Sequence, residues 1–117
     1  MTASYAKVLL SGSTNGRGVK VAATASPGTT IHTAVSGTAS WDEIWLYVFN
    51  SDTAAHDLTL QWGGTSSPDD TIKCTIPALS GLQLVTPGLL LQNSLIVKAF
   101  CDSANKLIIH GWVNRIT

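Results

Sequence analysis

Two stretches of this sequence decide its fold: Leu95-Ile96-Val97-Lys98-Ala99-Phe100-Cys101 and Leu107-Ile108-Ile109-His110-Gly111-Trp112-Val113-Asn114-Arg115-Ile116. A β-strand turns successive side chains to opposite faces, so each stretch is apolar on both. One apolar face can pack on a second sheet of the same domain. The other then calls for a neighbouring subunit or a larger assembly.

Working outward from these stretches, turn residues divide the rest of the chain into short alternating segments, and none carries the 3.6-residue apolar repeat of an amphipathic helix. Strands are predicted at 5–10, 19–24, 29–35, 42–50, 57–62, 72–76, 82–85 and 89–91. The loop 11–18 is rich in glycine, serine and asparagine, residues suited to tight turns. Within 42–50, Ile44, Leu46 and Val48 share one face and Trp45, Tyr47 and Phe49 the other. Leu58, Leu60 and Trp62 alternate with Thr59 and Gln61, the pattern of a strand with one wet face. The expected fold is all-β: one two-sheet β-sandwich over residues 1–117, jelly-roll-like. Alternation alone leaves an immunoglobulin-like sandwich and a closed barrel open, because it does not report which strands pair.

A chain of 117 residues is long enough to bury a core without disulfide staples. Charged residues make up 12% of it, against about 25% in ordinary globular proteins, so its surface is polar but weakly charged. Seven basic and seven acidic side chains cancel, and the basic ones are scattered, which leaves no electrostatic footprint for nucleic acid. Low charge favours association. The start lacks the pattern of a secretory leader, and no apolar run approaches the roughly 18 residues of a membrane span, so a soluble protein without a membrane partner is expected. Cys74 and Cys101 fall in separate predicted strands and read as reduced thiols, with a disulfide between neighbouring strands left open.

Nucleophile elbows, phosphate-binding loops, paired zinc-ligand motifs and calcium loops are all missing from the sequence, so neither an enzyme, a cofactor nor a metal site is expected. His32 and His110 lie within strands and read as histidines satisfied by hydrogen bonds. Asp69 and Asp70 after Pro68 read as a turn. The loop containing Asn15-Gly16-Arg17-Gly18 reads as a contact loop rather than a phosphate site, since no helix follows it. Of the four tryptophans, Trp45 and Trp62 are expected in the core, whereas Trp41 and Trp112 are candidates for exposure. Tryptophan and arginine are favoured interface anchors, which makes Arg17, Trp41, Trp112 and Arg115 the candidate interface residues.

The segments 12–24, 28–34 and 41–47, together with Gln61-Trp62-Gly63-Gly64-Thr65, Val85-Thr86-Pro87-Gly88 and His110-Gly111-Trp112-Val113-Asn114-Arg115-Ile116, resemble small virion proteins of tailed bacteriophages. Chain length adds a similarity to capsid decoration, or cement, proteins. The resemblance implies a structural protein made in the host cytoplasm and carried on the capsid surface of the virion. Its partners would be the major capsid protein and further copies of itself, as a homotrimer. It implies no catalytic residues. The competing expectation is a tail or fibre carbohydrate-binding module presenting an exposed indole. A small hydrolase on a β-sandwich ranks third, because a fold confers no chemistry without a site.

Overall fold

The computed structural model describes residues 3–117; Met1 and Thr2, which belong to the expected 1–117 domain, lie outside the described residues. Among the described residues nine strands form: β1 (Tyr5–Leu9), β2 (Val19–Lys20), β3 (Thr29–Thr33), β4 (Trp41–Asn50), β5 (His56–Trp62), β6 (Thr71–Ile76), β7 (Gln83–Leu91), β8 (Ile96–Cys101) and β9 (Leu107–Ile116). One sheet runs β1-β9-β4-β7, with β2 also on β9, and the other runs β3-β8-β5-β6. Every pairing is antiparallel.

The pairing is nested: β2 with β9, β3 with β8, β4 with β7, and β5 with β6. A long hairpin folded across itself in this way, with successive strands passing between sheets, is the jelly roll. The all-β sandwich read from the sequence is therefore the observed fold, and the nesting supplies the strand order that alternation does not carry.

The core lies between the sheets. Strand β4 alternates buried and half-buried side chains along its length, with Ile44, Leu46 and Val48 turned inward. They meet Leu58 and Leu60 of β5, Val97, Ala99 and Cys101 of β8, and Ile109 and Val113 of β9 in one cluster. Burying each large aliphatic side chain contributes about 1.5–3 kcal/mol, so this cluster supplies most of the force joining the sheets.

Three local expectations are corrected. The strand expected at 19–24 shortens to Val19–Lys20, although the Val21 N–H still donates to the Leu107 carbonyl at 2.9 Å. The segments 82–85 and 89–91 are one strand, β7, whose register with β4 shifts on both sides of Pro87. A proline is tolerated there because β7 is an edge strand, with no further neighbour to require its missing N–H. Finally, Trp45 is not in the core. It stands half-buried on the opposite face of β4 from Ile44 and Leu46. Trp62, by contrast, packs against the core cluster as expected.

Cys74 and Cys101 are both free, on β6 and β8, and each is paired in register with Leu58 of the strand between them. Two strand spacings put their Cα atoms roughly 9–10 Å apart, beyond the reach of a disulfide.

Candidate functional site

The outer face of the β1-β9-β4-β7 sheet carries the side chains that the core does not absorb. Cross-strand register places Leu9, Trp112, Trp45 and Pro87 in one row across β1, β9, β4 and β7. Neighbouring rows hold Tyr5, Ile116 and Trp41, then Lys7, Asn114, Glu43 and Leu90, then His110, Tyr47 and Leu84, and Phe49 opposite Ile108. Tyr5 is 67% exposed, while Leu9 and Leu90 are each 54% exposed. Apolar and aromatic side chains make up most of this face, interrupted by Lys7, Asn114, Glu43 and His110, and large exposed apolar patches commonly mark contact sites.

The aromatic centre of this face is ordered. Trp112 stacks on Trp45, with ring centroids 5.8 Å apart, and on Tyr47 at 5.9 Å. The Lys7 ammonium sits over the Trp112 ring, 5.9 Å from its centroid. Trp45 donates its indole N–H to Glu43 at 2.9 Å. Its other flank lies against Gly88, where an added Cβ would come within 2.9 Å of the ring. Gly88 also has φ +79°, a conformation that L side chains rarely adopt, so this position both admits the indole and permits the kink in β7. Offset stacking of this kind adds roughly 0.5–1.5 kcal/mol per pair, which makes the centre a preformed rigid surface rather than a set of loose side chains.

The four candidate interface residues divide. Trp112 occupies the middle of the outer face and Trp41 one corner, 37% exposed. Trp41 borders an open apolar cleft together with Leu90, Leu91 and Gln92. Arg17 is exposed on the loop that flanks the β1 and β2 edge, where Gly16 approaches Leu9 and Gly18 approaches Ile108 and His110. Arg115 turns inward instead. Its Nε donates to Asp42 Oδ1 at 2.7 Å and its terminal nitrogen to Oδ2 at 3.0 Å, a bidentate pair bridging β9 and β4.

Asp42 is fully buried and takes two further hydrogen bonds, from His32 Nε2 at 2.8 Å and from the Val35 N–H at 3.1 Å. His32 Nδ1 accepts the Ser11 N–H at 3.0 Å, so the ring hydrogen lies on Nε2 and points at the carboxylate. Burial pushes the Asp42 carboxyl up, but the hydrogen bonds from Arg115 and His32 outweigh it and hold the group below the usual carboxylate range. This network is structural and satisfies His32 as the sequence leads one to expect. Asp70 likewise closes a turn, its carboxylate accepting the Ser66 N–H at 3.1 Å.

No family model, curated protein or solved structure matches this chain. The outer face must therefore be read from its own chemistry. Sequence reasoning found Trp112 and Trp41 but missed Trp45 and Tyr47 as surface residues. Both faces of β4 are apolar, and periodicity does not say which is turned inward.

Proposed function

We propose that this protein is a non-catalytic assembly protein, and specifically a bacteriophage capsid decoration protein that binds the outside of the head, bridges capsid subunits and stabilises the particle. The observation that carries the reading is the aromatic and apolar outer face of the β1-β9-β4-β7 sheet, with Trp112, Trp45 and Tyr47 at its centre. Desolvated aromatic centres are where binding energy concentrates in protein interfaces. The capsid as partner comes from the sequence resemblance to small phage virion proteins. A homotrimer fits the same face: a ring-closing contact would cover apolar surface on each copy, and three weak attachments would sum to firm binding.

The test is quantitative mass spectrometry of purified particles, counting this chain against the major capsid protein. About one copy per capsid subunit is expected, and heads lacking the protein should break at lower temperature. A handful of copies per particle, or equal heat resistance without it, would overturn the decoration role.

The second reading is a glycan-binding module, favoured by the exposed Trp41 indole beside the Leu90, Leu91 and Gln92 cleft. Trp112 serves it poorly, because Trp45 and Lys7 already stack on its ring. A glycan array with hits that Trp41→Ala abolishes would favour this reading over the first.

A further inference from the structure

At the end of the sandwich where β5 begins and β8 ends, the fold gathers donor atoms that are far apart in the sequence. His56 Nδ1 lies 2.7 Å from Asp102 Oδ1, and Cys101 Sγ lies 3.3 Å from the same oxygen. The three potential ligand atoms are all within 4.8 Å of one another. We propose that His56, Cys101 and Asp102 form a binding site for a divalent metal ion of the zinc type, with Asp52 orienting the histidine.

The donor set is one imidazole nitrogen, one thiol sulfur and one carboxylate oxygen, the mixture zinc takes in preference to the oxygen-only shells of magnesium and calcium. Tetrahedral bonds of about 2.0–2.3 Å put neighbouring ligands roughly 3.3–3.7 Å apart. The sulfur–carboxylate spacing already fits. The nitrogen–carboxylate spacing must open slightly, which the half-exposed Asp102 side chain can supply by rotation.

The surroundings are those of a metal site. His56 Nε2 bonds Asp52 Oδ2 at 2.7 Å, which leaves Nδ1 directed at the other donors, and a carboxylate is one of the usual outer partners that orient a metal-ligating histidine. Asp102 Oδ2 accepts the Asp57 N–H at 3.3 Å, so the second ligand is also oriented. Cys101 is fixed on β8, its register partner Leu58 being two residues from His56 on β5.

The charges balance. Without metal, His56 bonds a carboxylate at each ring nitrogen, Asp102 at Nδ1 and Asp52 at Nε2, an arrangement that favours the form with hydrogen on both. With a neutral Cys101 thiol the cluster has a single net negative charge. A divalent ion bonded to Nδ1, the thiolate and the Asp102 carboxylate displaces the Nδ1 proton and the thiol proton and leaves that net charge unchanged. Binding therefore releases two protons and tightens as pH rises.

The full chain is titrated with Co²⁺ and then Zn²⁺, reading absorbance and proton release. One equivalent of Co²⁺ should bind with a near-ultraviolet thiolate charge-transfer band, and Zn²⁺ should displace it. Cys101→Ser should abolish the band, Asp52→Asn should weaken binding about 10–100-fold with the band retained, and Asp102→Asn, on a half-exposed side chain, should lose at least as much affinity with the fold intact. Absence of the band at saturating Co²⁺, or unchanged affinity in Asp102→Asn, would overturn the site.

Discussion

The two outer faces of this sandwich share the same two-residue alternation, yet they differ in chemistry. The outer face of β1-β9-β4-β7 shows Trp45, Trp112, Tyr47, Leu9 and Leu90. That of β3-β8-β5-β6 carries Thr30, Ile96, Lys98, Phe100, Thr71, Lys73 and Thr75, together with the buried Thr59 and Gln61. The second face even hides its own polar groups: Gln61 is buried because its side chain accepts the Gly28 N–H at 2.8 Å and donates to Ser26 Oγ at 2.8 Å, drawing the preceding loop over the sheet. A sheet finished with hydroxyls and its own loop is complete in water. A sheet finished with stacked indoles leaves apolar surface for a partner to cover, as the proposed assembly role requires.

The largest expected effect breaks the contrast at its base, since the faces differ only while the sheets stay clasped. Asp42→Ala leaves the buried His32 and the partly exposed Arg115 without their anion and should cost about 3 kcal/mol in chemical denaturation. The same network sets an acid limit. The Asp42 carboxyl is held below its ordinary value near 3.8 in the fold, so its contribution is present above the unfolded value and is lost as pH falls through the folded one. Wild-type stability should therefore drop across that acid range, and a variant lacking Asp42 should show a shallower drop there.

Next in size, Trp112→Ala removes the ring shared by two stacks and a cation–π contact; a loss of about 2 kcal/mol is expected by thermal or denaturant unfolding. The sharpest form of the comparison pairs two exposed positions, Leu90→Glu on the apolar face and Thr30→Glu on the polar one. Both should change stability by less than about 0.5 kcal/mol. On the proposed decoration role, only Leu90→Glu should reduce self-association by sedimentation and binding to heads lacking the protein; equal behaviour of the two would remove the apolar face from that proposal.

A gain rather than a loss is expected on the inner side of the apolar sheet. Thr86 is fully buried and its hydroxyl has no hydrogen-bond partner. Thr86→Val keeps the shape and removes the orphan group, and it should stabilise the fold by about 1 kcal/mol.

Most strands were legible from the sequence because alternation and turn residues are local signals. The boundaries that failed are those where long-range pairing overrides them. Pro87 and Gly88 read as a break, but an edge strand absorbs both. Val21 onward reads as strand, but β9 has room for only Val19 and Lys20 in register. The candidate face was half legible. Trp112 and Trp41 stood out by position, whereas Trp45 sat in a segment apolar on both sides. Arg115 was chosen as a surface anchor because nothing local indicates that Asp42, a cross-strand neighbour far away in sequence, waits for it inside. The His56, Cys101 and Asp102 cluster was invisible for the same reason.

The nesting of the strands also governs the order of events during synthesis. Strand β9 lies in the interior of its sheet, between β1 and β2 on one side and β4 on the other, yet it is the last of the described strands to be made. Until it emerges, β1 and β2 have no partner and one edge of β4 stays open, with Ile44, Leu46, Trp45 and Tyr47 uncovered. The nascent chain therefore carries one edge of β4 unpaired for the several seconds that roughly 55 further residues require. Such distant pairings fold in milliseconds to seconds. High-level expression should accordingly favour aggregates formed through β4, and slowing synthesis or cooling the cells should raise the soluble yield.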